Sequence, residues 1–482
     1  MPLILPGNVA SATAAVGYTV ANSCRFNKGD TAYMHKTTSA GNRKTWTYST
    51  WFKRISLGTQ VTFGLVQANT ANDNIMAVQL VAANTMDIWD YNGGMSAQIT
   101  TNRVFRDVGS WYHVVLAVDT TDSTANNRMR LYINGVEERG AGGYSTDTMP
   151  AEDYTFNINV ADKALKLGVY DYGSVSSPAD FYLAETVFID GTQYAASDFG
   201  EFDEDSPTIW KPKDVSGLTF GTNGFYLDYE DSANLGNDAN GGTDLTEVAL
   251  AATDQAVDSP TNNFVTLNPL TNHSNGITLS EGNLKATTGD APWQNQSATF
   301  GVNKGKWYFE VKAVETSSEQ YIVAGIQSDN LISSEAGTFG FLYNYSYAMK
   351  FYDGDKVYNE SDGGSSEDYG DAVTDGQIVG VAFDLDNQKM YFSINGTYQD
   401  SGDPTSGATG TGSITNLQSG PTYVPSITLA QATSNPIAEL NFGSPSYANS
   451  SDAADANGYG AFEYAPPSGY YSLCTKNLAE FG

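Results

Sequence analysis

The chain has 482 residues, 24 basic against 55 acidic, a formal net charge of -31 and 12% aromatic residues. Its apolar and aromatic content excludes a disordered chain, and its length asks for more than one core. The acidic balance excludes a basic groove for nucleic-acid phosphates and docking on anionic lipid. The acids are scattered, which reads as a solvated surface.

Residues 1–21 form a small-residue arm with Pro2 and Pro6, expected to need a partner to become ordered. It lacks the basic end and long apolar run of a signal peptide, and no stretch of the chain is apolar for long enough to span a bilayer. From residue 22 short β patterns begin. Trp46 to Phe52 alternates large and small side chains, the period of a half-buried strand. Strand patterns follow at Val61, Met76 and Thr85. Trp111 to Asp119 then has a continuous apolar middle, and Arg128 to Glu137 carries Asn134-Gly135, which suits the positive φ angles of a two-residue hairpin. Ala164 to Tyr170 and Phe181 to Asp190 close this series.

Residues 201–275 are rich in Asp, Asn, Gly and Ser and read as an irregular connector. Strands resume near residue 276. Lys304 to Lys312 alternates cleanly, Gln377 to Asp384 is apolar, and Lys389 to Gly396 repeats the hairpin device with Asn395-Gly396. Residues 446–482 contain Pro466-Pro467 and read as a strap along a surface rather than a central strand. The fold class is therefore all-β: two tandem antiparallel β-sandwich (jelly-roll) domains, at 22–200 and 276–445, joined by an irregular connector. Cys24 and Cys474 sit in apolar patterns and read as buried small side chains.

Trp111 to Asp119, Arg130 to Glu137 and Ala184 to Asp190 together resemble a laminin-G or concanavalin A-like module. Gly305 to Val311, Asp375 to Asp386, Met390 to Gly396, Pro425 to Leu429 and Leu440 to Gly443 resemble a SPRY domain in family order. Ser197 to Asp203, Trp210 to Lys213, Gly221 to Asp228, Pro260 to Phe264 and Pro466 to Tyr470 are similar to structural proteins of tailed bacteriophages, marine ones especially.

The phage resemblance implies a virion surface protein, made in the infected bacterial cytoplasm. It would be a tail-fibre or receptor-binding subunit that recognises a host-surface glycan or protein. It would meet other virion proteins through the arm or the strap, and by analogy with phage fibres it would be a homotrimer. A capsid decoration protein or head fibre is the rival within that class.

Catalysis finds little support. Glu201, Asp203 and Asp205 have the alternate spacing of a glucanase carboxylate set. However, Ser206-Pro207 follows at once and no strand is evident there. A glycan-degrading enzyme therefore stands as the alternative of a different class. His35, His113 and His273 are isolated, which excludes a triad or zinc cluster read from sequence. The laminin-G resemblance implies a rim calcium, for which the oxygen-bearing candidates are Asp119, Asp122 and Asn126, with Asp228 and Asp231. Aromatic rings stack on sugar faces while amides bond hydroxyls. The best such clusters are Trp89, Tyr91 and Asn92, and Tyr343, Asn344, Tyr345 and Tyr347.

Overall fold

The computed structural model describes residues 3–5, 17–70, 74–171, 175–271, 276–289, 293–315, 320–331, 345–358, 365–415, 417–431 and 435–482. The chain divides into two compact units: Ala14–Thr261 forms one, and Met1–Thr13 with Asn262–Gly482 forms the other. Both are built from antiparallel sheets.

In the Ala14–Thr261 unit, one sheet runs Val136–Glu137, Met129–Ile133, Trp111–Asp119, Thr45–Arg54, Phe181–Asp190, Ser23–Phe26 and Gln255–Ala256, with Phe225–Leu227 also paired to Phe181–Asp190. The other runs Tyr144–Thr148, Met95–Val104, Thr85–Asn92, Asn74–Leu80, Val61–Thr70, Lys163–Leu167, Tyr33–Thr38 and Thr246–Val248. Trp46, Tyr48, Phe63, Ile88, Leu116 and Phe188 meet in the core between them.

The continuous apolar middle of Trp111–Asp119 has a direct cause. Val114, Leu116 and Val118 face that core, while Val115 and Ala117 face a third layer on the opposite side. A strand covered on both faces need not alternate. The third layer is built from Phe199, Val215, Phe220 and Tyr226.

Most of the stretch read as connector therefore folds with the first unit, and the division falls within it, between Thr261 and Asn262. Its short apolar islands each complete a layer or an edge. Trp210–Pro212 pairs with Gly200–Phe202, Thr246–Val248 extends the edge at Tyr33–Thr38, and Gln255–Ala256 extends Ser23–Phe26. Trp210 also covers the first hairpin. Gly135 has φ +79°, and a Cβ there would lie 2.3 Å from the Trp210 ring. Both the turn geometry and the indole require glycine.

In the second unit, Lys306–Glu315 is flanked by Ile378–Asp384 and Ile437–Asn441, and the sheet continues to Ile277–Ser280 on one side and Thr397–Tyr398 on the other. The facing sheet runs Gln294–Ser297, Tyr423–Gln431, Gln320–Ser328, Ser346–Lys350, Lys356–Tyr358 and Ser365–Glu367. Alternation sends Trp307, Phe309 and Val311 into the core. Tyr308 and Glu310 point the other way, under the tail.

The tail is more than a surface strap. Phe462 and Tyr470 pack with Tyr308, Ala382 and Tyr391. Tyr471–Ser472 joins Trp307 and Tyr308 as a parallel strand, and the helix Thr475–Phe481 follows. Pro466 and Pro467 precede this pairing, so no ladder donor is lost. Glu310 ties the tail down: its carboxylate accepts the N–H groups of Glu463 (3.0 Å) and Tyr464 (2.8 Å), the Asn441 amide (3.0 Å) and the Tyr308 hydroxyl (3.2 Å). Of the N-terminal arm, Ile4 bridges Phe300 within this same unit. Cys24 and Cys474 are both buried free thiols. Among the described residues no helix is long and apolar enough to cross a membrane.

Candidate functional site

The strand Thr85–Asn92 places Met86 and Ile88 in the core and turns Asp87, Trp89 and Tyr91 outward. Their neighbours on the outer face follow from register. Trp89 lies opposite Ala77 on one side and Gln98 on the other, and Tyr91 lies opposite Ile75. Ala77 pairs with Val66, Val66 with Lys166, and Lys166 with His35. The outer face thus has a floor of buried Val66, Ile75 and Ala77, over which Trp89, Tyr91 and Tyr170 are half-buried. The Trp89 and Tyr170 rings are 6.1 Å apart.

Polar groups flank this platform. Asp87 accepts from Gln98 Nε2 (3.0 Å) and Thr100 Oγ1 (2.7 Å), which fixes Gln98 opposite Trp89 and Thr100 opposite Asp87 itself. Lys166 is paired to Asp171 and lies 5.5 Å from the centroid of the Tyr33 ring. Burial, then the nearby Lys166 charge, lowers the His35 pKa. An apolar platform with amide, hydroxyl and carboxylate groups at its margin can stack on a sugar ring and bond its hydroxyls. Trp89 and Tyr91 were legible in sequence. Tyr170, Tyr33 and Lys166 come from distant strands, and only sheet pairing brings them to this face. Asn92 is exposed at the strand's end, where its N–H closes a turn on the Gly94 carbonyl.

The two described members of the second aromatic cluster, Tyr345 and Tyr347, do not share a surface. Tyr347 is fully buried, 6.0 Å from the Tyr423 ring, with its hydroxyl accepting the Gln418 N–H, so it does not reach solvent. Alternation along Ser346–Lys350 turns it inward. Tyr345 is 40% exposed, and Tyr343 and Asn344 lie outside the described residues.

The acidic run differs from expectation in its strand context. Gly200–Phe202 is a short strand, with Glu201 opposite Lys211. The chain then turns: Asp203 accepts the N–H groups of Asp205 (3.0 Å) and Ser206 (2.8 Å). Lys211 lies 3.5 Å from Glu201 and 3.4 Å from Asp203. Glu201 and Asp203 thus share Lys211, while the turn that begins at Asp203 takes Asp205 out of the strand.

The calcium candidates also serve their own turns. Asp119 accepts from Thr121, Asp122 from the N–H of Thr124 and the amide of Asn127, Asp228 from Glu230 and Asp231 from Ala233. Asn126 is exposed. Among the described residues no three His, Cys, Asp or Glu side chains converge as a cation site. These residues do not fit the implied ion as a set.

His113 is buried between Trp51 (ring centroids 4.6 Å) and Trp210 (6.1 Å). Trp210 Nε1–H donates to its Nδ1 (2.9 Å), so Nε2 carries the proton and donates to Ser49 Oγ (2.9 Å). Burial pushes its pKa down to about 3. It is a neutral packing residue. His273 lies outside the described residues.

A buried carboxylate that sequence reading missed is Glu185. It sits at φ +49° in a bulge of Phe181–Asp190 and accepts from the hydroxyls of Tyr226 (2.8 Å) and Tyr18 (3.2 Å). Burial, resisted by these hydrogen bonds, pushes its pKa up to about 8. No local pattern marks it, since its partners are 167 and 41 residues away in sequence.

Residues 27–166 match the family model of the concanavalin A-like lectin/glucanase superfamily. That span holds Trp89, Tyr91 and most of the outer face. No curated protein matches the chain. Among solved structures, the SPRY domain of human HERC1 is similar at 12% identity over 36% of this chain and 96% of its own, with a TM-score of 0.29. A heptameric pentraxin from Limulus polyphemus is similar at 14% identity over 37% of this chain and 80% of its own, TM-score 0.28. A candidate carbohydrate-binding protein from Bacteroides ovatus is similar at 14% identity over 48% of this chain and 58% of its own, TM-score 0.32.

Proposed function

We infer that the chain is a glycan-binding protein that holds sugar on the outer face around Trp89, Tyr91 and Tyr170, without cleaving it. The observation that carries this reading is the half-buried aromatic platform with Gln98, Thr100 and Asp87 at its edge. The match of residues 27–166 to a lectin/glucanase family supports it. Binding is favoured over hydrolysis because Glu201 and Asp203 are both paired to Lys211, and Asp203 also accepts the turn N–H groups of Asp205 and Ser206.

A Trp89→Ala variant tests the site. Loss of the stacking surface is expected to weaken a bound oligosaccharide about tenfold or more, corresponding to ~1.4 kcal/mol. Titration calorimetry with wild-type affinity in the variant would remove this face from consideration.

In the setting implied by the phage-like connector and tail, this binding would serve recognition of a bacterial surface glycan by a virion protein. That setting rests on sequence resemblance alone. Electron microscopy of labelled particles tests it: density at the tail supports a receptor-binding subunit, density on the capsid lattice supports a decoration protein, and absence from particles rejects both.

A further inference from the structure

We propose a second glycan-binding face, on the other unit, formed by Trp293, Tyr321 and Tyr352. It extends the reading above and shares its ligand class, but it stands on separate residues.

The strand Gln320–Ser328 sends Ile322, Ala324 and Ile326 into the core and Val323 to the opposite face. There Val323, Ala348 and Val357 form a buried aliphatic floor, on which Trp293 and Tyr352 pack half-buried. Tyr321 joins them: its ring centroid is 5.2 Å from Trp293 and 4.6 Å from Tyr352. Beside the rings, Lys350 lies 5.1 Å from the Tyr352 centroid and donates to Asp353 (2.6 Å) and Asp355 (3.0 Å). Ser366 Oγ also donates to Asp355 (2.6 Å).

The composition repeats that of the first face. Each has one tryptophan and two tyrosines over three buried aliphatic residues, with a lysine held by aspartate beside them. The outer faces of the two other large sheets are treated differently. They are covered by apolar segments of the chain itself, around Phe220 in one unit and Phe462 in the other.

The ligand that fits is a neutral pyranose glycan. The rings offer stacking surface for a sugar's C–H face, and Asp353, which is exposed, offers acceptors for hydroxyls. Lys350 at the platform is already neutralised by Asp353 and Asp355, and the chain carries a net charge of -31, so an anionic sugar gains nothing here.

The test uses the full chain and titration calorimetry with three probes: hexasaccharides of β-1,4-linked glucose, β-1,3-linked glucose and β-1,4-linked N-acetylglucosamine. Wild type is expected to bind at least one of them at two sites per chain. Trp89→Ala and Trp293→Ala should each leave one site, and the double variant none. Tyr352→Ala should weaken the second site at least tenfold, and it keeps the test open if Trp293→Ala melts early. Unchanged stoichiometry and affinity in both Trp293→Ala and Tyr352→Ala would overturn the second face while leaving the first intact. Binding lost in Trp293→Ala but kept in Trp89→Ala would overturn the first face and leave the second standing. Wild type binding none of the probes would overturn both.

Discussion

Glu310 offers a sharp test of how the tail is held. Its carboxyl is fully buried and its pKa is pushed up to about 7 by burial, against the lowering effect of the four hydrogen bonds it accepts. In the unfolded chain the same group titrates near 4.5. The folded form therefore binds a proton more readily, and the group's contribution to stability is full below pH 4.5 and lost as pH rises through 7. The displacement corresponds to roughly 3 kcal/mol between pH 4 and pH 8. When protonated, Glu310 can donate to the Tyr308 oxygen, because that hydroxyl rotates, while still accepting from the two tail N–H groups.

Glu310→Gln cannot titrate, and its amide nitrogen must face one of the tail N–H donors. That mismatch costs roughly 1–3 kcal/mol at every pH. The variant should therefore be clearly weaker than wild type at pH 5 and close to it at pH 8. The assay is hydrogen exchange at the Glu463 and Tyr464 amides, corrected for the intrinsic pH dependence and paired with urea unfolding at both pH values. Equal pH dependence in variant and wild type would refute the reasoning.

Two further outcomes follow from the hairpin of the first unit. Gly135→Ala forces a positive φ on alanine and drives a methyl into the Trp210 ring, so stability should fall by about 2 kcal/mol or more. The emission of Trp210 should shift to the red; unchanged melting and emission would reject the role given to the indole. His113, with its pKa near 3 when folded against the ordinary 6.5 of an exposed imidazole, adds stability that is complete above pH 6.5 and is lost as pH falls toward 3. The full loss is roughly 4–5 kcal/mol, and a His113 imidazole titrating near 6.5 in the folded protein by NMR would contradict it.

The short-range grammar of the chain is plain in its sequence. Both Asn-Gly hairpins form where their residue types require: Asn134 and Asn395 adopt positive φ, and each side chain accepts the N–H of a residue on the strand flanking the hairpin, His113 and Ile378 respectively. The strand periods around Trp89 and Trp307 also fix which side chains turn outward and which turn inward, because a period of two is a local property. Trp210 over Gly135 and Tyr464 beside Gly396 could not be read that way, since each arrives from a segment more than 60 residues on, with no periodicity linking the two. The same holds for Glu185, buried against Tyr18 and Tyr226, and for Glu310, buried under the tail at Glu463 and Tyr464. It holds too for the two aromatic platforms, whose members lie on strands made neighbours only by sheet pairing. Local pattern determined the strands and turns; tertiary packing decided which carboxyls are buried and which aromatic rings share a face.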